Sequence, residues 1–391
     1  MERMKKKILF VVNVDWFFLS HRLEIALGAI NQKYEVHLAT HQTLPIEMIQ
    51  RHGIIMHSLM VKRSSMNPYG ILKYCYDLNS IFSSVKPDIV HLVTIKPVIF
   101  GGIVARLKNI PAVVFAISGM GYLYINKNPG YVFIKKLTGL IYKTALQHKN
   151  SFVICQNSAD LKLVTDITKI NQENSRIIPG SGINLEQYHS SNIVFQNKRK
   201  LVVMFASRLL KDKGLCEFVE ASRHLKRFSK DTKNLPNLKF VVLGEVDHGN
   251  NASVSMADID SWESEGLIDY WGHIEAMETV LTKADIFVLP SYREGMPKVL
   301  LEAAACSLPI ITTDVPGCRD AILPDITGIL VPPRNSAALA EAIRSLALNP
   351  EKSILLGKNG RQHAHASFDV NLVVKEHLEI YERLNSQIVS S

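Results

Sequence analysis

Cysteine is scarce in this chain: five residues, Cys75, Cys155, Cys216, Cys306 and Cys318, are spread along it with no C-x-x-C pair. That number and spacing exclude a disulfide framework and a zinc ribbon, and fit reduced thiols packed as small hydrophobes. Long hydrophobic runs are missing too; none approaches the ~20 residues that cross a bilayer. The basic, then apolar start is broken at Asn13 and Asp15, and no small-residue cleavage site follows, so Ile8–Val12 reads as a first β-strand and not as a signal peptide. There is no G-x-x-x-x-G-K-[ST] phosphate loop, and no helix-turn-helix, RNA-recognition or zinc-finger pattern. The one D-x-D triplet, Asp258-Ile-Asp260, falls in a polar stretch that reads as a loop and not as a strand end, so no metal site is expected.

Acidic residues are short in one region. Residues 1–190 hold 22 Lys/Arg against 11 Asp/Glu, the remainder 23 against 25, and within 51–150 the imbalance is 13 to 2. A one-sided charge of this size suits an anionic lipid surface, nucleic acid or an acidic substrate. With no nucleic-acid motif present, nucleic acid is not expected as the partner.

At 391 residues the length fits two domains of ~100–200 residues each, and a hydrophobic content of 47% is enough for two large cores. Short apolar runs alternate with helical stretches throughout. Ile8–Val12, Val36–Ala39, Ile89–Val93, Ala112–Ile117 and Phe152–Cys155 form one series; Leu201–Ala206, Lys239–Leu243, Ile286–Leu289, Ile310–Thr313 and Gly328–Val331 form a second. Such alternation predicts an α/β protein with two parallel, doubly wound sheets. The polar stretch Ser190–Lys200 reads as a linker, giving domains at 1–190 and 191–370 and a final helical segment at 371–391. The Asn- and Ser-rich stretch Val246–Ala257 reads as a mobile loop whose start lies near the second domain's ligand edge.

The densest chemistry lies in Arg293-Glu-Gly-Met-Pro-Lys-Val-Leu-Leu-Glu302, after the strand-like run Asp285–Pro290. Pro297 suits the first position of a helix, and Val299, Leu300, Ala303 and Ala304 continue at helical spacing. Glu294 then lies in a strand-to-helix turn and Glu302 on the second helical turn, both able to face the carboxyl end of a parallel sheet, where open α/β folds bind ligands. An earlier strand-to-helix junction, Ser207-Arg-Leu-Leu-Lys-Asp-Lys-Gly214, carries Arg208 and Lys213, two cations suited to a diphosphate. Backbone amides from Gly295 through Met296, Pro297 and Lys298 to Val299, at a helix start, add to the same electrostatic task wherever they carry an N–H. Gly244, at the end of another strand run, permits close backbone approach to a ligand or serves a turn alone.

The pair S-R-x-x-x-x-K-G and E-G-M-P-x-V-L-L-E resembles retaining glycosyltransferases of family 4, which have the GT-B fold: two Rossmann-like domains with a cleft between them. The resemblance implies an N-terminal acceptor domain, a C-terminal nucleotide-sugar domain and a C-terminal helix that returns to the first. It implies that Arg208 and Lys213 stabilise the departing diphosphate, that Glu294 holds hydroxyls of the donor sugar and that Glu302 holds the ribose. An ionised carboxylate reads a diol well, because it accepts two hydroxyl bonds. Trp271-Gly-His-Ile274 falls where the family holds the nucleobase, with Ile274 at the contact. No metal and no cofactor beyond the nucleotide-sugar substrate are implied.

The first domain departs from the family pattern. Its first loop reads Asn13-Val-Asp-Trp-Phe-Phe-Leu-Ser-His-Arg22, without a glycine pair, and the later position reads Ala116-Ile-Ser-Gly-Met-Gly121. No enzymic base stands out, leaving His21, Arg22 and His91 as candidate acceptor contacts; His91 lies on an apolar run and equally suits a core position. Lys62-Arg-Ser-Ser-Met-Asn-Pro68, Lys96-Pro-Val-Ile-Phe-Gly-Gly102 and Ser118–Tyr122 resemble transferases that extend undecaprenyl-diphosphate-linked sugars. On that resemblance Arg63, Lys96 and Arg106 face a lipid diphosphate, and the donor is a UDP-sugar, most simply a UDP-N-acetylhexosamine. The stretch Gly130–Lys143, apolar with interspersed lysines, reads either as an interfacial helix or as a core-facing one. The implied setting is the cytoplasm, at the inner face of the membrane, in surface polysaccharide assembly. A sugar-nucleotide epimerase on the same fold and a silent nucleotide-sugar-binding protein remain as alternatives.

Overall fold

In the computed structural model, residues 5–60, 67–119, 132–190, 200–228, 235–247, 250 and 252–389 are described, with 132–137, 228 and 389 by backbone alone. The chain forms two units, 1–181 with 370–391 and 182–369. The crossing into the second unit lies at Ser181–Gly182, nine residues ahead of the linker read from the sequence. Residues 182–190 pack on the second unit because Ile183 donates its N–H to Phe368 and Tyr188 bonds Glu302.

The first unit holds a seven-stranded parallel sheet: β1 (Lys7–Val14), β2 (Glu35–His41), β3 (Ile55–Ser58), β4 (Ile89–Val93), β5 (Ala112–Ile117), β6 (Ser151–Cys155) and β7 (Ser175–Ile177), in the order 3-2-1-4-5-6-7. β4 and β5 are buried along their whole length, and β1 nearly so. Helices on both faces explain why these strands are continuous apolar runs and not alternating ones. β1 lies between β2 and β4 in register, with Phe10 opposite Leu38 and His91. The helix Pro68–Val85 is started by Asn67, whose side chain accepts from Gly70 N–H at 2.6 Å, and stopped by Lys86 in the left-handed conformation. Arg63 and the other residues of 61–66 lie outside the described residues, as does 120–131.

The first loop read from the sequence is helical. Asp15–His21 and Leu23–Asn31 are helices, and the buried Asp15 carboxylate accepts from Thr43 N–H (2.6 Å) and Leu44 N–H (2.7 Å), fixing the turn out of β1. Arg22, at the junction, is buried and not an open acceptor contact. It belongs to a polar cluster beneath the terminal helix Val370–Val389, which packs against the Leu23 helix. Here His91 Nδ1 and Tyr381 Oη share a 2.6 Å hydrogen bond, and His91 stacks between Phe10 and His377. His91 is thus a core histidine. His377 donates Nδ1–H to the Val373 carbonyl at 2.7 Å.

Burial holds both imidazoles below the usual histidine range, His377 at about 3, with Arg22 adding repulsion, and burial brings the Arg22 guanidinium to about 10. Both histidines are neutral in the folded protein at pH 7. Below ~6.5 the unfolded chain takes up protons that the folded one refuses, so stability falls with acid, more steeply as the unfolded imidazoles become fully protonated. The thermal midpoint should therefore drop between pH 7 and 5, and less so in His377→Leu; an equal drop in both proteins contradicts this.

The second unit repeats the plan with six parallel strands, β8 (Lys200–Ala206), β9 (Asn237–Leu243), β10 (Asp269–Tyr270), β11 (Ile286–Leu289), β12 (Ile310–Thr313) and β13 (Gly328–Val331), ordered 10-9-8-11-12-13. In each sheet the strand order reverses beside its first strand, between β1 and β4 and between β8 and β11. Open α/β sheets bind ligands at the carboxyl end of such a switch point.

Candidate active site

The switch point of the second unit is where the sequence motifs meet. Arg208 follows β8, Lys213 closes a short 3-10 turn at Lys211–Lys213, and Glu294 follows β11. The turn out of β8 ends at Gly214, with φ +77°, where a Cβ would overlap the Pro290 carbonyl oxygen; only glycine lets this turn sit against the end of β11. Tyr292 N–H donates to the Asp212 carbonyl at 2.8 Å and ties the two loops together.

Lys213 and Glu294 are paired directly, Nζ to Oε1 at 2.6 Å, each side chain only 14% exposed. Ser291 Oγ donates to the same Oε1 at 2.8 Å, while Oε2 takes no part in either bond. Arg208 is more open, 40% exposed, and reaches Asp247 Oδ2 at 3.2 Å. Of the stretch Val246–Ala257, read from the sequence as mobile, residues 248, 249 and 251 lie outside the described residues; Ala252 and Val254 are tied by backbone bonds, Lys211 N–H to Ala252 O at 2.8 Å and Val254 N–H to Leu209 O at 3.0 Å. Gly244 stands between the ends of β8 and β9 with φ +139°, and a Cβ there would overlap the Ser207 carbonyl oxygen. It is required by the packing of these two strand ends.

Glu302 lies on the helix Lys298–Ala305, buried on its second turn. Pro297 is the N-cap of that helix and not its first residue; its ψ of 110° keeps it extended, and it offers no capping oxygen. Met296 is buried and Val299 packs against the core. Tyr188 Oη donates to Glu302 Oε1 at 2.8 Å, and Lys298 Nζ lies 3.5 Å from the same oxygen, again leaving Oε2 outside these contacts. Arg361 in turn holds the Tyr188 and Ala305 carbonyls. Sequence reasoning missed Tyr188, Ser291 and Asp247: Tyr188 and Asp247 meet their partners only through the fold, while Ser291 stands three residues before Glu294 and was within reach of a local reading. Trp271 N–H donates to the Val242 carbonyl at 2.9 Å, and Ile274 packs against the same core from the loop that follows.

The D-x-D triplet is not in a loop. Asp258 sits in the first turn of the helix Met256–Ser264 and forms a capping box with Ser255, accepting from its N–H at 2.9 Å and its hydroxyl at 2.7 Å. Those bonds lower its pKa. Among the described residues no cluster of His, Cys, Asp and Glu has the arrangement of a metal site.

In the first unit, Asn13 Nδ2 donates to Thr94 Oγ1 at 2.7 Å across the switch point between β1 and β4. Lys96 lies just beyond, buried, its ammonium 4.8 Å from the Tyr74 ring centroid, and burial lowers its pKa. His21 stacks on Phe17 at the end of its helix. Arg106 is exposed and points to the Thr144 carbonyl. In the helix Val132–Leu146, Tyr142, Ala145 and Leu146 are buried and Lys143 is exposed, the pattern of a core-facing helix over its described side chains.

Two doubly wound parallel sheets in one chain, with basic and acidic side chains gathered at the second switch point, define the GT-B architecture. The chain belongs to the family 4 glycosyltransferases: residues 189–363 match Glycosyl transferases group 1, and residues 7–157 match Glycosyl transferase 4-like. It is 28% identical over 386 residues to the N,N'-diacetylbacillosaminyl-diphospho-undecaprenol alpha-1,3-N-acetylgalactosaminyltransferase of Campylobacter jejuni, a match covering 94% of this chain and 98% of that protein. It is 24% identical over 268 residues to the UDP-Gal:alpha-D-GlcNAc-diphosphoundecaprenol alpha-1,3-galactosyltransferase of Escherichia coli, covering 66% of each. The solved sucrose-phosphate synthase of Thermosynechococcus elongatus has the same fold, with a TM-score of 0.79 at 18% identity over 98% of this chain and 100% of its own. No helix among the described residues is long and apolar enough to cross a membrane.

Proposed function

We propose that this glycosyltransferase moves an N-acetylhexosamine from its UDP-sugar to a sugar carried on a lipid diphosphate, with retention and without a metal, in bacterial surface glycan assembly. The observation that carries the reading is the grouping of Arg208, Lys213 and Glu294 at one switch point, with Glu302 on the helix that follows. A nucleoside diphosphate needs cations, and its ribose and sugar need acceptors. Arg208 and Lys213 meet the first need, and Lys213 exchanges part of its bond to Glu294 for a phosphate oxygen when the donor arrives. The uncapped start of the helix Lys298–Ala305 adds its dipole. Glu302 Oε2 faces the ribose diol, and Glu294 Oε2 takes hydroxyls of the transferred sugar.

The step breaks the bond from the anomeric carbon to the phosphate oxygen and forms one to the acceptor oxygen on the same face. The acceptor's proton passes to the leaving phosphate oxygen, so no protein base is required. The lipid-linked acceptor and the UDP donor are supported by the names of the Campylobacter and Escherichia relatives, and the basic first unit suits an anionic membrane surface.

Two expectations follow from the site. Tyr188→Phe removes one hydrogen bond to the Glu302 carboxylate, worth ~1.5 kcal/mol or more for a charged acceptor. KM for the donor should rise about tenfold with turnover little changed; an unchanged KM would release Tyr188 from any part in donor binding. The second concerns the reaction itself. Presented with UDP-, GDP- and dTDP-sugars and a polyprenyl-diphosphate sugar, the protein should make an α-linked product from a UDP-sugar, in EDTA as well as in buffer. A β-anomer by NMR, or activity lost in EDTA and restored by manganese, contradicts the proposal. An epimerised donor formed without acceptor favours the epimerase.

A further inference from the structure

We propose that the outer stripe Tyr69–Leu72–Tyr76 of the helix Pro68–Val85 is a membrane-docking face that seats in the interface of an anionic bilayer. This deepens the reading of a lipid-linked acceptor and rests on it for its purpose. Its test needs no substrate.

The helix has two stripes. Gly70, Tyr74, Leu78, Ile81, Phe82 and Val85 are buried and serve the core. The opposite stripe, positions 69, 72, 76, 80 and 83, is exposed along its length. Solvation alone calls for polar residues there, and the second half obeys with Ser80 and Ser83. The first half does not: Tyr69, Leu72 and Tyr76 are 77%, 70% and 72% exposed. Met60, on the connection from β3, is 67% exposed as well. An apolar group this open, confined to one end of one helix, marks an interaction surface.

The end of the helix that carries it is defined by two contacts. Lys7 Nζ donates to the Val85 carbonyl at 3.4 Å, so the helix finishes at the amino edge of the sheet, where β1 starts. Lys96, just beyond the carboxyl end of β4, lies over the ring of Tyr74. The apolar half of the stripe therefore stands at the carboxyl edge, the same edge as the switch point marked by Asn13 and Thr94.

Charge selects the partner. Lys73, half-exposed, flanks the stripe, four residues after Tyr69 and three before Tyr76, and residues 51–150 carry 13 Lys/Arg against 2 Asp/Glu. Of the two acids, Asp77 is half-buried on the flank of this helix and Asp88 binds Lys7 N–H at the amino edge. Tyrosine, leucine and lysine side by side suit a headgroup boundary, where ring and chain enter the apolar side and hydroxyl and ammonium stay with water and phosphate. Seated so, the unit brings its ligand edge to the depth at which a lipid diphosphate emerges.

The test is co-sedimentation with phosphatidylcholine vesicles and with vesicles enriched in phosphatidylglycerol, for the wild type, the triple variant Y69S/L72S/Y76S, K73Q and the control S80A/S83A. Far-UV spectra and thermal midpoints confirm that the exposed substitutions leave the fold intact. The wild type should bind the anionic vesicles and release as salt rises. The triple variant should bind at least about tenfold more weakly, since it loses three apolar anchors. K73Q should bind more weakly than the wild type, the control should match it, and the triple variant should keep its rate on a short soluble acceptor. Undiminished binding by the triple variant, or no binding by the wild type, overturns the proposal. So does a wild-type dimer in light scattering that the triple variant turns into a monomer, which would make the stripe a contact between two copies. Vesicle binding without transfer to any lipid-linked acceptor would leave the docking face standing and remove the acceptor reading instead.

Discussion

Lys213→Ala should lower turnover by ~10²-fold or more, in line with the loss of one preorganised group at a developing charge. In the proposed reaction the negative charge collects on the diphosphate, and Lys213 is the enclosed cation at the switch point, 14% exposed beside Glu294. Part of the loss comes from Glu294, which among the described residues keeps the Ser291 hydroxyl when its ammonium partner is gone. Arg208→Ala should act in the same direction, since Arg208 is held toward the same edge by Asp247. The two losses need not add, because both cations serve one leaving group. Steady-state kinetics beside a thermal melt checks this: the midpoint should stay within a few degrees while turnover falls. Near-native turnover in both variants contradicts the leaving-group assignment.

The largest effect on stability is expected at Gly244. Its φ of +139° is a conformation that L side chains rarely adopt, and a Cβ would overlap the Ser207 carbonyl oxygen. Neither strain can relax cheaply. Gly244 N–H is bonded to the Gly272 carbonyl at 2.9 Å, and its own carbonyl accepts from Tyr270 Oη at 2.9 Å. Gly244→Ala should cost about 3 kcal/mol or more, combining backbone strain with overlap in a packed turn. The second unit should melt well below its wild-type temperature, with loss of activity as Arg208 moves away. An unchanged melt would show that the strand ends separate freely.

Much of the fold was legible because its central strands are buried on both faces. All ten apolar runs fall within strands of the structure, several with identical ends, such as Ile89–Val93 and Ile310–Thr313. β3, β7 and β10 fall outside the ten runs because they carry no such signal: Ile-Met-His-Ser, Ser-Arg-Ile and Asp-Tyr lie at sheet edges and are partly exposed. Boundaries were read less well. The polar run after Ser190 suggested a linker, but hydrogen bonding and not polarity decides where a unit starts, and Tyr188 already belongs to the second. Likewise Asn13–Arg22 lacked an obvious helix start because its anchor, the Asp15 carboxylate, bonds residues 43 and 44, far along the chain.

The candidate site divides in the same way. Arg208, Lys213, Glu294 and Glu302 were visible as residue types at strand-to-helix turns. Their partners were not, since Tyr188 meets Glu302 across 114 residues and Arg208 meets Asp247 across 39. Lys96 was placed at a lipid diphosphate by resemblance and Arg22 among the acceptor contacts by its position in the first loop; the fold buries both, one over a tyrosine ring and one beneath the terminal helix.

The most direct measurement is a crystal structure of the protein with UDP, grown in EDTA. The diphosphate should lie within hydrogen-bond reach of Arg208 and Lys213, with the Lys213–Glu294 bond lengthened and the ribose hydroxyls on Glu302 Oε2. UDP seated elsewhere on the molecule, or bound at this switch point with its diphosphate turned away from both cations, would contradict the proposed site.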